Sequence, residues 1–283
     1  MKGKFGRTYK LDIFTPAGKR ITIEPPLSIQ FNISRNTLDS ANTGSITIYN
    51  LAGGTRNQIY KDRYTTTEFW QVQLFAGYGN RIHQVIKGNI YEAYSYKQNT
   101  EWITKLEVYD GLDAIQNGFT SITIEKDTPK QNVIEQALSD MPNLIRGVLG
   151  SPIEGKSARG KSLIGQSYEI IQQETDNQAF IDNQVLNVLG NDEIIVGNII
   201  YLDSSDLLAT PRRRETFLDI SILFEPQAAV ARAYKIESLD PIYNGTYKIV
   251  GFTHDVEISS ANSGKAITNI SLNIGAEGLK ERI

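Results

Sequence analysis

The sequence predicts a mainly β protein with a small α/β insert. Strand-rich segments at residues 1–115 and 193–283 flank a mixed module at 116–192. Three observations carry this. Apolar and polar residues alternate with a two-residue period through the first and last thirds, which puts one face of each strand on a core. Turn residues punctuate these runs at short intervals. The texture changes near Asp110, after which a sustained helical period enters. Many short strands with turns between them suggest a barrel or sandwich over 1–115. The last third looks like the same kind of object, so the expectation is a strand-rich barrel on each side of the insert.

In the first third, Leu11 and Ile13, then Ile21 and Ile23, alternate with polar neighbours across a Pro16–Gly18 turn. Leu27, Ile29, Phe31 and Ile33 alternate with Ser28, Gln30 and Asn32, and Ile46 and Ile48 follow Gly44. A short helical segment fits between Leu51 and Tyr64. Trp70, Val72 and Leu74 form the next strand, broken by Gly77 and Gly79, with Tyr78 between them as a loop-tip contact or simple packing. Val85–Tyr96 and Trp102–Tyr109 read as a hairpin closed by Lys97–Thr100.

In the middle third, Thr128 is placed as N-cap, Pro129 as first helical residue and Gln131 as the closing partner of a capping box. Val133, Ile134, Ala137, Leu138 and Met141 keep a helical period until Pro142 stops it. Gly147, Gly150, Pro152 and Gly155 mark a loop. A second helix carries Leu163, Ile164, Tyr168 and Ile171 on one face, with Gln166, Glu169, Gln172 and Gln173 largely off it. Phe180-Ile181 and Val185–Leu189 then form a hairpin with Asp182-Asn183 at its tip.

In the last third, Ile194–Leu202 is mostly apolar, Leu218, Ile220 and Ile222 alternate, and Ala233–Ile236 leads toward Pro241. Tyr243-Asn244-Gly245-Thr246 is the strongest hairpin signal, because a type I′ turn needs positive φ at both central residues. Tyr247, Ile249 and Phe252 continue it, and Ile270, Leu272 and Ile274 close the chain with clean alternation.

The 283 residues, 40% hydrophobic and 22% charged, suffice for two or three packed units. The net charge of −3 provides no global basic field that would draw the chain to nucleic acid. With no cysteine, disulfides and thiolate metal sites are excluded. His83 and His254 lie far apart in sequence, which argues against a histidine metal site. No apolar run approaches the roughly 20 residues of a membrane helix. Met1-Lys2-Gly3-Lys4-Phe5-Gly6 lacks the apolar core of a signal peptide, so export by the usual secretory route is not expected.

Gly155-Lys156-Ser157-Ala158-Arg159-Gly160-Lys161-Ser162 spells the phosphate-cradling pattern G-x-x-x-x-G-K-[ST], and Ile199–Asp203 is an apolar run ending in an acid. Such a loop needs a buried strand before it and a helix N-terminus behind it. The expected helix after Ser162 fits, but Gly150–Glu154 is a poor buried strand and the antiparallel setting is foreign to such sites. The stretch therefore reads as a Gly-rich basic connector, with a P-loop nucleotide hydrolase kept as the alternative. A carbohydrate-binding β-module is a further alternative, suggested by Tyr78, Tyr91 and Tyr243. Arg212-Arg213-Arg214 reads as a solvated loop before it reads as a phosphate or acidic-partner site. His254-Asp255 reads as a packed strand-end pair before it reads as catalytic. No G-x-S-x-G elbow occurs, and no residue is assigned a catalytic, cofactor-binding or metal-binding role.

Taken together, Arg159-Gly160-Lys161-Ser162-Leu163-Ile164-Gly165, the helix to Glu174 and Asn177–Val188 resemble the central region of baseplate (tail) hub proteins of tailed bacteriophages. That family carries an R-G-K-x-L-x-G lead-in, a helix, and a hairpin of the type W-S-I-Q-D-G-x-V. The hairpin here is Ala179-Phe180-Ile181-Asp182-Asn183-Gln184-Val185, without the tryptophan and with Asn183 in place of the glycine. Asp206–Pro211 and Ile222–Pro226 stand where the family has its T-G-x-I-G-x-P-x-x-T and L-L-N-P-x-L segments. Gly245–Val250 with Thr253-His254-Asp255, Phe75-Ala76-Gly77-Tyr78 and Lys87-Gly88-Asn89-Ile90 resemble further family elements.

The resemblance covers nearly the whole chain. It implies two β-barrel hub domains with smaller α/β domains between them. Three copies would form a pseudo-sixfold ring joining the tail tube to a central spike. It also implies a structural role without enzymatic activity or cofactor, and a place in the virion tail baseplate, assembled in the bacterial host cytoplasm. The implied partners are further copies of the chain, tail tube and other tail or baseplate proteins and the spike. DNA would be met only in passage through the channel, and no membrane partner is implied. The modest negative charge suits a channel past which DNA slides without adhering.

Overall fold

A computed structural model describes residues 4–38, 41–64, 68–197, 199–259, 264–273 and 278–282. The first third contributes β1 (Arg7–Phe14), β2 (Arg20–Ile23), β3 (Ile29–Asn36), β4 (Thr43–Tyr49), the one-turn α1 (Gly53–Arg56), β5 (Trp70–Tyr78), β6 (Arg81–Gln98) and β7 (Glu101–Tyr109). The middle contributes α2 (Leu112–Asn117), β8 (Phe119–Ile124), α3 (Lys130–Ser139), β9 (Ile145–Leu149), β10 (Lys161–Gln166), α4 (Ser167–Glu174), β11 (Ala179–Asp182) and β12 (Val185–Val188). The remainder is β13 (Glu193–Ile195), β14 (Ile200–Asp203), β15 (Arg212–Arg214), β16 (Phe217–Leu223), β17 (Ala233–Glu237), β18 (Gly245–Ile258), β19 (Ala266–Asn273) and β20 (Lys280–Arg282).

The first and last thirds share one sheet of thirteen strands, in the order β15-β16-β19-β18-β3-β4-β7-β6-β5-β1-β2, with β17 and then β14 branching from β18. Among the described residues this path does not close into a barrel. Its continuity comes from β18. The strand's first residues pair with β17, its second half runs antiparallel to β3 from Gly251↔Asn36 to Ile258↔Ile29, and β19 follows its other edge. With 14 residues, β18 is long enough to leave one packing unit and enter the other.

Three apolar cores follow from the alternation. Ile29, Phe31 and Ile33 of β3 and Ile46 and Ile48 of β4 are fully buried in the first, to which the last third donates Phe224, Val256 and Ile258. Burying each such side chain stabilises by about 1.5–3 kcal/mol. The second core gathers Leu218, Ile220, Tyr234, Ile249 and Leu272, and Phe180 reaches it from β11. The third belongs to the middle segment, where Ile134 and Ala137 of α3 meet Ile170 and Ile171 of α4 and Leu186 and Val188 of β12.

Several local expectations are corrected. The helix expected from Leu163 begins only at Ser167; Lys161–Gln166 is instead a strand antiparallel to β8, from Lys161↔Ile124 to Gln166↔Phe119. Leu163 and Ile164 are adjacent apolar residues that suit either period, and pairing with β8 decides in favour of the strand. Ile164 consequently points to solvent. The capping box does not form. The Thr128 hydroxyl donates to the Glu125 carbonyl at 2.8 Å, the Gln131 amide donates to Glu135 at 2.9 Å, and α3 starts at Lys130.

Asn244-Gly245 makes no type I′ turn, since Asn244 is extended (φ −72°) after a 3₁₀ turn at Pro241–Tyr243, and its side-chain oxygen accepts the Ser238 N–H at 2.7 Å. The β11–β12 turn lies one residue later than expected, at Asn183 and Gln184, whose φ values of 55° and 63° satisfy a type I′ geometry. The apolar run 194–202 is divided between β13 and β14. Ile274 lies outside the described residues.

Candidate functional site

The tip of the β11–β12 hairpin is plugged into a polar socket on the thirteen-stranded sheet. Arg35 supplies the socket's cation. It follows Ile29, Phe31 and Ile33 on the inward face of β3 and is 3% exposed, so its charge must be met inside the protein. Its Nε donates to Asp182 Oδ1 at 2.7 Å, a second branch binds Asp182 Oδ2, and the third donates to the Val85 carbonyl at 3.1 Å. The guanidinium also lies over the Phe252 ring, 5.1 Å from its centroid. A bidentate fork of this kind fixes orientation as well as distance.

The tip's backbone is matched in turn. Asp110, at the end of β7, accepts the N–H of Gln184 at 2.8 Å and that of Asn183. Asn42 donates to the Ile181 carbonyl at 2.8 Å, and Asn183 Oδ1 accepts the Lys87 N–H at 2.8 Å. Gly111 sits at φ +67°, and a Cβ there would lie 2.9 Å from Ile181. Asn183 stands at the position where the hub hairpin pattern has glycine, and asparagine tolerates the left-handed region better than most residues. Burial, reinforced by the neighbouring Asp182 carboxylate, pushes the Asp110 carboxyl up to about 7 against the pull of the two amides and Arg35. Behind Arg35, His254 is fully buried between Phe224 and Phe252, with Nδ1 2.9 Å from the Thr268 hydroxyl. Burial and the Arg35 charge lower its pKa to about 3, so it is neutral at physiological pH.

A second ionic knot ties the C-terminal strand to the middle segment. Glu193, 1% exposed, accepts the N–H groups of Ser151 at 3.0 Å and Gly190 at 2.8 Å, and binds Arg282 Nε at 2.6 Å. Lys248 donates to the Gly190 carbonyl at 2.7 Å, and burial lowers its pKa to about 8. Between these two junctions opens a groove of about 1050 Å³ whose lining includes Asn177, Leu189, Arg212, Arg214, Asp219 and Ser271.

The alternatives raised by the sequence fail on this geometry. A strand, not a helix, follows Gly155–Ser162, and the Lys161 amine is held by Glu174 of α4. The loop's backbone is committed locally. Ser157 N–H donates to the Thr128 carbonyl at 2.8 Å, and the Gly155 carbonyl accepts from Lys130 N–H at 3.1 Å. No phosphate cradle on a helix N-terminus exists there. Asp203 is occupied with Ser205 in its own turn.

The three tyrosines form no sugar platform. Tyr78 donates to the Phe224 carbonyl at 2.9 Å, Tyr91 packs edge-on against Tyr109 at 5.3 Å, and Tyr243 packs against the second core, its backbone carbonyl accepting the Tyr247 hydroxyl at 2.9 Å. His254 and Asp255 face opposite sides of β18, Asp255 binding Lys265 at 2.5 Å, so they make no catalytic pair. Arg214 grips Asp219 at 2.5 and 3.2 Å on the edge strand β15, while Arg212 and Arg213 are exposed. Among the described residues, no group of three metal-ligating side chains comes together. Sequence reasoning missed Arg35, Asp110, Glu193 and Lys248. For Arg35 a signal existed: a charged residue at an inward position of an alternating strand.

Residues 12–262 match the protein family described as baseplate hub gp41. No curated protein matches the sequence. Among solved structures, the chain is similar to the 43 kDa tail protein of prophage MuSo2 from Shewanella oneidensis, with a TM-score of 0.61 at 9% identity over 93% of this chain and 96% of that one. It is similar to a tail protein from Neisseria meningitidis MC58, with a TM-score of 0.57 at 12% identity over 95% and 97%. It is also similar to the E. coli c3393 protein, a type VI secretion component described as resembling the T4 phage tail proteins gp27 and gp5, with a TM-score of 0.56 at 9% identity over 91% and 76%. At these identities the likeness is one of fold, and the family match covers most of the chain. The chain belongs to the bacteriophage baseplate hub family, whose members are structural proteins of the phage tail.

Proposed function

We propose that three copies of this chain form the pseudo-sixfold ring of a phage baseplate, joining the tail tube to a central spike around the DNA channel. The family match over residues 12–262 carries this reading. The internal organisation is compatible with it: two apolar cores lie on one strand-rich sheet and a third lies in the middle segment, and we take the units at 1–115 and 193–283, flanking the module at 116–192, as the two barrel-type units of each chain. Three chains then supply six such units, which matches a sixfold tube on one side and a threefold spike on the other. The role is structural, with no catalytic residue and no cofactor. The partners are further copies of the chain, tube and other tail proteins and the spike, in a virion baseplate assembled in the bacterial host cytoplasm.

Light scattering on the purified full chain tests this reading. The expected mass is three times 31.6 kDa. A species that stays at one chain mass across the micromolar range contradicts the ring.

A further inference from the structure

We propose that seating the β11–β12 hairpin tip traps one proton in the socket, because the seated tip encloses two carboxylates, Asp110 and Asp182, with a single guanidinium, Arg35. Arg35 spends its fork on Asp182, which leaves Asp110, 1% exposed, without a cation of its own. The charged groups around Asp110 are few. Arg35 comes from β3 and Asp182 from β11, and His254 of β18 stands beyond Arg35. The half-buried Arg232, just before β17, is within electrostatic reach of Asp182 but gives its guanidinium to the Ile195 and Val196 carbonyls and makes no bond to either carboxylate. Asp113 of α2 is taken up by Asn117 at 2.7 Å and Asn143 at 2.7 Å, and Lys87 of β6 meets the tip through its backbone N–H.

Two amides favour the Asp110 carboxylate, but complete burial beside a second carboxylate outweighs them. The proton comes from solvent, settles on Asp110, and returns to solvent when the tip leaves. Protonation also leaves both tip amides an acceptor, since a carboxylic acid keeps acceptor capacity on its oxygens. The junction between the sheet and the α/β module is thereby a proton-coupled lock, tighter below neutrality than above it. The inference rests on the socket alone and holds whatever the oligomeric state.

The test compares unfolding of the full chain and Asp110→Asn across pH 4 to 8. The Asp110 contribution to stability grows as pH falls from about 7 toward 4, and comparison with the variant cancels the contributions of the other groups. The ratio of the wild-type unfolding constant to that of the variant should therefore rise by up to about tenfold per pH unit between pH 4 and 7, then level off. A ratio constant across the range overturns the proposal. Should Asp110→Asn fail to fold, infrared difference spectra of the wild type decide: a protonated-carboxyl band at pH 6 that vanishes by pH 8 supports the lock, and its absence at pH 6 overturns it.

Discussion

Arg35 on β3 and Asp182 on β11, separated by 147 residues in sequence, form a forked ion pair that seats the central hairpin on the sheet. Both side chains are withdrawn from solvent, Arg35 at 4% and Asp182 at 15% side-chain exposure. Removing one partner of a buried pair leaves the other charge uncompensated, which typically costs about 3–5 kcal/mol. Arg35→Ala should lower stability by about that amount in denaturant unfolding. Arg35→Met combined with Asp182→Asn should recover part of the loss, and an additive double-mutant cycle would remove the pair from the account.

The socket is also a matter of backbone shape. Asn183 combines φ 55° with a side-chain acceptor for the Lys87 N–H. Asn183→Gly keeps the turn and loses one hydrogen bond, an expected cost of about 0.5–1.5 kcal/mol. Asn183→Val adds backbone strain to that loss, a further 1–3 kcal/mol or so. Thermal unfolding of the two variants should rank them in that order.

His254 sets an acid limit. Its folded pKa is depressed to about 3 from 6.5, so its contribution is fully present above pH 6.5 and is lost as pH falls toward 3. Asp110 acts in the opposite sense between 3.8 and about 7, where stability is lost as pH rises. The two nearly offset one another from about pH 4 to 6.5. His254→Met should unmask the Asp110 slope: a variant that gains stability as pH drops from 6.5 to 4, read from unfolding midpoints against pH.

Lys161 belongs to a partly exposed pair with Glu174, at 34% and 10% side-chain exposure. Lys161→Ala should cost no more than about 1 kcal/mol. ATP with magnesium should leave the melting temperature of the wild type unchanged against a nucleotide-free control. A ligand-dependent rise abolished in the variant would return the Gly155–Ser162 stretch to consideration.

Much of the fold was legible because alternation is local. Ile29, Phe31 and Ile33, or Leu218, Ile220 and Ile222, declare a strand and its buried face without reference to any partner. Adjacent apolar residues do not, which is why Leu163-Ile164 suggested a helix where β8 makes a strand. The Asn244-Gly245 signal lost to the proline-led 3₁₀ turn at Pro241–Tyr243 directly before it.

The single sheet was hidden because the register of β18 on β3 joins residues more than 200 positions apart, such as Gly251 and Asn36. The socket was half visible. The inward parity of Arg35 announced a buried charge, whereas its partner on a distant hairpin, and the neighbourhood that lifts Asp110, exist only once the chain has folded.

The most direct test of the hub assignment is a cryo-EM reconstruction of the assembled protein. The account predicts three chains around an open channel, their β units spaced near sixfold symmetry, with the Asp182–Gln184 tip seated on Arg35 and Asp110 in each chain. A particle without a channel, or one whose β units depart from sixfold spacing, would contradict it.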